Sequence, residues 1–330
     1  MAASIADAMQ CADFNGGYSV IRAACVVKWQ GFYQLDFWKE LSHLCRQSGV
    51  ELDVIDDYSL QEYLAMPARY ENIVCWCWQY KEPIGYGTGS NNFLFVDENF
   101  ITRNDRLYCD CEGWNDRSRL ATSGETSRPI SSAELAELAE YIESNGIPWN
   151  HGGSRTGPIL VFLRFDFRII QYCEAHLPAA MPVLIRLHPR HKHIWPIQMK
   201  RLDPFLKRNP HWSVDQSDDT IAALRSARAC VSDAGSAIHK AMAMGIPSAS
   251  VGPGLFAGTG SALECDKNAT RLQSLPDFVH SMDKVASFLH ACYRNAQMHD
   301  IERSIDVSTF ISRCNSGRPY PSAALGGPGR

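Results

Sequence analysis

The chain has 330 residues, more than one hydrophobic core usually serves, so two domains of roughly 150 residues each are expected. Its 45% hydrophobic and 21% charged residues are those of an ordinary globular protein, and a formal net charge of -4 excludes a generally basic, nucleic-acid-coating surface. No apolar run nears the roughly 20 residues that cross a bilayer, and Met1 to Gln10 lacks both the basic and the long apolar region of an export signal. A cytoplasmic protein without a membrane span is therefore expected, its twelve cysteines reduced. The pairs Cys75/Cys77 and Cys109/Cys111 are spaced C-x-C, which on a strand puts both thiols on one face as small buried hydrophobes, not as a zinc ribbon.

In chain order, Ala23 to Lys28 reads as a strand, Leu35 to Ser48 as a helix by the spacing of Phe37, Leu41, Leu44 and Cys45, and Val50 to Ile55 as a strand. Asn72 to Trp78 is a buried strand, Gly85 to Gly89 a turn, and Asn92 to Val96 and Leu107 to Cys111 two further strands. Ser131 followed by Glu134 is a capping box that opens a helix running to Asn145. The Pro- and Gly-rich stretch Ile147 to Pro158 then reads as a linker, which divides the chain into residues 1–150 and 151–313. In the second half, strands are expected at Ile159 to Leu163, Val183 to Leu187, Trp212 to Val214, Ala229 to Val231 and Pro247 to Val251. Helices are expected at Phe167 to His176, Ile197 to Lys207 with a kink at Pro204, Thr220 to Ala227, Ala237 to Met244, and within Leu275 to Tyr293. Alternation of this kind predicts parallel sheets with helices on their faces. Residues 314–330, rich in Gly, Pro and Ser, read as a disordered tail.

Ligands of open α/β sheets bind beyond the carboxyl ends of the strands, and three segments place polar residues there. An apolar strand delivers Arg186 and then His188 to its end, where Pro189 stops the ladder and Arg190 opens a basic stretch. His188 then either meets a phosphate with a charge-assisted hydrogen bond or caps its own loop. Ser232, Gly235 and Ser236 lie between a strand and a helix, where small residues and helix-opening amides suit an anion, or where a plain N-cap suffices. Asp97 and Glu98 end a first-half strand, a pair suited to act as general base or nucleophile, or to sit in a solvated turn. No convincing D-x-D metal motif stands at a strand end, so no metal is expected.

Taken together, Leu94 to Ile101, Leu107 to Asp110, Arg117 to Leu120, His188-Pro189, Ser232 to Pro247 and Val251 to Gly258 resemble the capsule polysaccharide biosynthesis glycosyltransferases, a group that includes retaining transferases of Kdo from its CMP conjugate. The resemblance implies a GT-B fold of class α/β, with two Rossmann-like domains facing across a cleft. It implies Asp97 or Glu98 as the catalytic carboxylate, His188 as a ligand of the donor phosphate, and Gly235 and Ser236 as part of the nucleotide cradle. The partners implied are a nucleotide sugar, used as co-substrate with no other cofactor, and a glycan acceptor. Viral enzymes with the same machinery glycosylate hydroxymethylated bases in DNA, and the basic residues between Arg190 and Arg208 are the feature that favours that acceptor; Trp76, Trp78 and Trp114 would then line a pocket for a flipped base. Two departures stand out: Asn99 replaces a family glycine, and Lys240 replaces a glutamate that contacts the donor sugar, which leaves the donor open. A GT-B-shaped sugar-nucleotide epimerase and a non-catalytic sugar-nucleotide binder are the alternatives.

Overall fold

The computed structural model describes residues 21–26, 32–55, 66, 69–76, 92–98, 107–111, 119–154, 156–163, 167–233, 236–252, 256, 258–265, 272, 275, 281–295 and 304–316. The turn expected at Gly85 to Gly89, the positions Cys77, Trp78, Asn99, Trp114 and Gly235, and residues 317–330 lie outside the described residues.

The first sheet contains β1 (Ile21–Val26), β2 (Val50–Ile55), β3 (Asn72–Trp76), β4 (Asn92–Glu98) and β5 (Leu107–Asp110), in the order β2-β1-β3-β4-β5. All neighbours are parallel except β5, which runs antiparallel to β4 at the edge. Helix α1 (Phe32–Gln47) covers one face with Phe37, Trp38, Leu41 and Cys45 against Ala23, Cys25, Val74, Leu94 and Val96. Ala24, Ile73, Cys75 and Phe95 alternate onto the opposite face and pack with Met66 there. Cys109 and Cys111 are both buried in the α1-side core, as their spacing predicts.

The second sheet is wholly parallel and ordered β11-β10-β9-β6-β7-β8. Its strands are β6 (Ile159–Leu163), β7 (Val183–Leu187), β8 (Trp212–Asp215), β9 (Ala229–Ser232), β10 (Ser248–Val251) and β11 (Leu263–Cys265). Read outward from β6, this is the doubly wound order 3-2-1-4-5-6. The helices are α2 (Arg119–Thr122), α3 (Ser132–Ser144), α4 (Arg168–His176), α5 (Trp195–Arg208), α6 (Thr220–Ser226), α7 (Ser236–Ala243), α8 (Met282–Asn295) and α9 (Ile305–Ser316). Ile159, Val161 and Leu163 face a core with Ile170, Leu202 and Trp212, whereas Leu160 and Cys230 face α3, α7 and α8. A sheet covered on both faces explains the unbroken apolar strands. Helix α5 runs through Pro204. No helix among the described residues is long and apolar enough to cross a membrane.

The cores divide the chain differently from a cut after residue 150. Leu120, Leu138, Ile142 and Ile147 pack with Leu160, Leu224, Ile238 and Phe288, so α2 and α3 belong to the second unit. Val307, Phe310 and Cys314 pack with Cys25, Leu41 and Leu94, so the last helix returns to the first. The tail expected from residue 314 thus begins inside a helix whose Cys314 is buried.

Helix α3 starts at the capping box: Ser131 Oγ accepts from the Glu134 amide at 3.3 Å and Glu134 Oε2 accepts from the Ser131 amide at 2.8 Å. Arg128 donates to Glu134 Oε1 at 2.6 Å, and this bond, followed by those from Ser131, pushes the Glu134 pKa down to about 2. Protonation as the pH falls from the usual carboxylate range towards 2 removes the box and its contribution.

The expected linker is a strap, not a free hinge. Asn150 and Gly152 donate to the carbonyls of Ala243 and Met244 at 2.8 and 2.6 Å. A Cβ on Gly157 or Gly153 would collide with the backbone carbonyl of Ser226 or Ala227, so these glycines permit close approach of two backbones. Gly157→Ala is expected to destabilise the protein by about 1–3 kcal/mol, since a backbone neighbour cannot swing aside. Urea denaturation measures it, and an unchanged midpoint would mean that the strap does not seat there.

Candidate functional site

The strand order places a crevice at the carboxyl edge of the second sheet. Connections leave β6 towards β7 on one side and reach β9 on the other, so the switch point lies between β6 and β9. His188 follows directly on β7, and α7 starts four residues after β9 ends. Both belong to one edge and flank β6, two strand spacings or about 10 Å apart in the sheet. They therefore do not share a single strand end.

Local structure holds each in place. The His188 carbonyl accepts from the His191 amide at 3.0 Å and from Trp195 Nε1 at 3.1 Å. Pro189 and Arg190 open a 3-10 turn, Pro189–Ile194, in a position where proline loses no hydrogen bond. The His188 and His191 rings lie 4.5 Å apart. Ser232, the last residue of β9, is buried and in register with Ser250. Ser236 is the first residue of α7 and Lys240 stands one turn further along. The remainder of α7 is anchored by Ile238, His239, Ala241 and Met242. His239, which sequence reasoning passed over, lies 5.4 Å from the Phe288 ring and 5.9 Å from that of Phe256. Burial lowers its pKa to about 3, so it is a neutral core residue at physiological pH.

Arg186, expected in the donor-binding set, has its partners within the fold. Its side chain is 1% exposed, and it makes an ion pair with Asp215 and donates to Ser217 Oγ at 3.0 Å and Thr220 Oγ1 at 3.1 Å. The guanidinium pins β7 to β8 and to the start of α6. Half of the basic stretch is paired as well: Lys192 with Asp218 at 2.8 Å, Lys207 with Asp203 at 2.6 Å and Arg208 with Glu174 at 2.9 Å. Arg201 stacks on Phe167 at 3.9 Å. Such a face carries much less net positive charge than its lysines and arginines suggest.

Asp97 and Glu98 are the last residues of β4, at the carboxyl edge of the first sheet, opposite Tyr108 and Leu107 of β5. They belong to a different sheet from His188 and α7. Among the described residues, no three His, Cys, Asp or Glu side chains form a metal-ligand group.

No protein-family model matches the sequence, and no curated protein matches it. Among solved structures, the chain is similar to a β-Kdo 2,7-transferase of KpsC from Thermosulfurimonas dismutans, at 12% identity over 81% of this chain and 89% of that one, with a TM-score of 0.48. It is similar to the β-Kdo 2,4-transferase of the same KpsC at 11% identity over 82% and 90%, TM-score 0.43. A third likeness is to the UDP-GlcNAc 2-epimerase of Methanocaldococcus jannaschii, solved with UDP-GlcNAc and UDP, at 8% identity over 81% and 97%, TM-score 0.35. The fold itself is α/β, with two sheets of Rossmann-like strand order. The two strand orders establish the Rossmann-like halves without these likenesses.

Proposed function

We propose that the chain transfers a sugar from a nucleotide-activated donor to an acceptor hydroxyl. The observation that supports this reading most is the pair of elements flanking β6: His188 beyond β7 and the amides that open α7 beyond β9. Helix-opening amides carry partial positive charge, and an imidazole two strands away adds a hydrogen-bond donor. Together they would neutralise the charge that builds on a departing nucleotide phosphate in place of a metal ion. Asp97 or Glu98 would act on the acceptor side as general base or nucleophile. Ser232, Gly235, Pro189 and Arg190 would shape the cradle, and Lys240 the donor-sugar side.

A glycan hydroxyl is the acceptor this reading favours over DNA, because Lys192, Lys207 and Arg208 already have carboxylate partners. Duplex binding draws on lysines and arginines that neutralise phosphates.

The test is a thermal-shift screen against UDP, CMP, GDP and dTDP sugars, followed by product analysis with the hit. A tenfold excess over Kd stabilises by about 1.4 kcal/mol. Transfer to a glycan that is abolished by Asp97→Ala together with Glu98→Ala is the expected result. A changed sugar from donor alone would identify an epimerase, and binding without turnover a non-catalytic binder. No shift with any donor would defeat the nucleotide-sugar reading.

A further inference from the structure

The last helix is fastened to the first sheet by polar contacts that general packing does not require. Cys111 follows β5, and both its backbone amide and its thiol donate to Asp306 Oδ1, at 3.2 and 3.3 Å. Its carbonyl accepts from Arg313 at 3.3 Å. Asp306 and Arg313 stand two turns apart on one face of α9, so a single helix holds both main-chain groups of one residue. Between them, Asn92 at the start of β4 donates to the Phe310 carbonyl at 3.0 Å and contacts Cys314 Sγ at 3.4 Å. Asp306 is buried, 3% exposed, which makes its hydrogen bonds expensive to lose.

This placement matters because β5 is short, antiparallel and at the sheet edge, with β4 its pairing partner. A strand of that kind has little of its own to fix its register, and a slip of one residue turns every side chain to the other face. In the observed register Tyr108 and Leu107 lie opposite Asp97 and Glu98. We propose that Asp306 and Arg313 are positioning residues: by gripping Cys111 they lock β5, and through its ladder they set the strand end that carries Asp97 and Glu98. The role in catalysis rests on the glycosyltransferase reading above; the lock itself does not.

The experiment compares Asp306→Ala, Asp306→Asn and Arg313→Gln with the full-length wild-type chain by hydrogen exchange, donor-induced thermal shift and steady-state kinetics. Asp306→Ala is expected to speed exchange in residues 94–98 and 107–111 while 159–163 stays protected and the donor shift is retained. Its kcat should fall on the order of 10²-fold with the donor KM unchanged, the size expected for misplacing a reacting group by about 1 Å. Asp306→Asn keeps the Oδ1 acceptor and should restore both slow exchange and kcat, which a role for the charge alone would not. Arg313→Gln should move the same two readouts in the same direction and decides the matter if Asp306→Ala unfolds throughout. Wild-type exchange in β5 of both Asp306→Ala and Arg313→Gln, or an Asn variant as impaired as Ala, would overturn the lock. If the wild type turns over no nucleotide sugar, the transferase reading falls and exchange alone judges the lock.

Discussion

Arg186→Met is expected to lower the folding stability by about 3 kcal/mol, the low end for breaking a buried ion pair because Asp215 keeps some contact with water. Methionine fills the space but leaves Asp215 without its guanidinium, and Ser217 and Thr220 without their donor. The acid dependence carries a sign. Burial raises the Asp215 pKa, but hydrogen bonds from Ser217 and the Arg186 guanidinium outweigh it and hold the carboxyl below its ordinary value. In the wild type that contribution is present above the usual carboxylate range and lost as the pH falls through and below it. The variant has less to lose, so its deficit should be largest near neutrality and narrow in acid. Replacing Asp215 by leucine as well should recover much of the loss. Urea melts of the three species at two pH values measure all three effects. A variant that melts like wild type yet no longer responds to nucleotide sugar would return Arg186 to the donor site.

Sequence informs on local structure but not on a pairing between distant residues. Ile159 to Leu163 and Val183 to Leu187 are legible as strands because a sheet covered on both faces imposes continuous apolar runs. The capping box at Ser131 and Glu134 is legible because its chemistry is local. Arg186 is different: its partner lies 29 residues away on the neighbouring strand, and no spacing rule announces it. The stretch Ile147 to Pro158 reads as a linker from its Pro and Gly content, whereas Gly153 and Gly157 serve contact with another backbone. Strand β11, of three residues, is too short for periodicity to show. Helix α9 is a signal overlooked, since Val307, Phe310, Ile311 and Cys314 recur at helical spacing. The carboxyl-edge placement of His188 and of Ser236 was legible from strand-then-loop order alone. Their separation by β6 was not, because it depends on the strand order in the sheet.

His188→Ala is expected to reduce kcat for sugar transfer on the order of 10²–10³-fold, the range for removing one preorganised donor to developing negative charge. The main-chain anchor of the loop survives the substitution, since Trp195 and His191 donate to the backbone carbonyl of His188. Stability should therefore change little, and a thermal melt run alongside the kinetics separates loss of the imidazole from loss of the loop. The neighbouring His191 ring, 4.5 Å away, supplies a comparison: His191→Ala should cost much less if the phosphate is met at the strand end. Lys192→Ala removes a cation already paired with Asp218 and should leave kcat near wild type. If the imidazole acts on the departing phosphate and not on the acceptor, a donor whose leaving group needs little charge stabilisation should partly rescue His188→Ala. Equal losses for His188→Ala and Lys192→Ala, or a kcat within twofold of wild type for the former, would mean that the leaving phosphate is stabilised by another group.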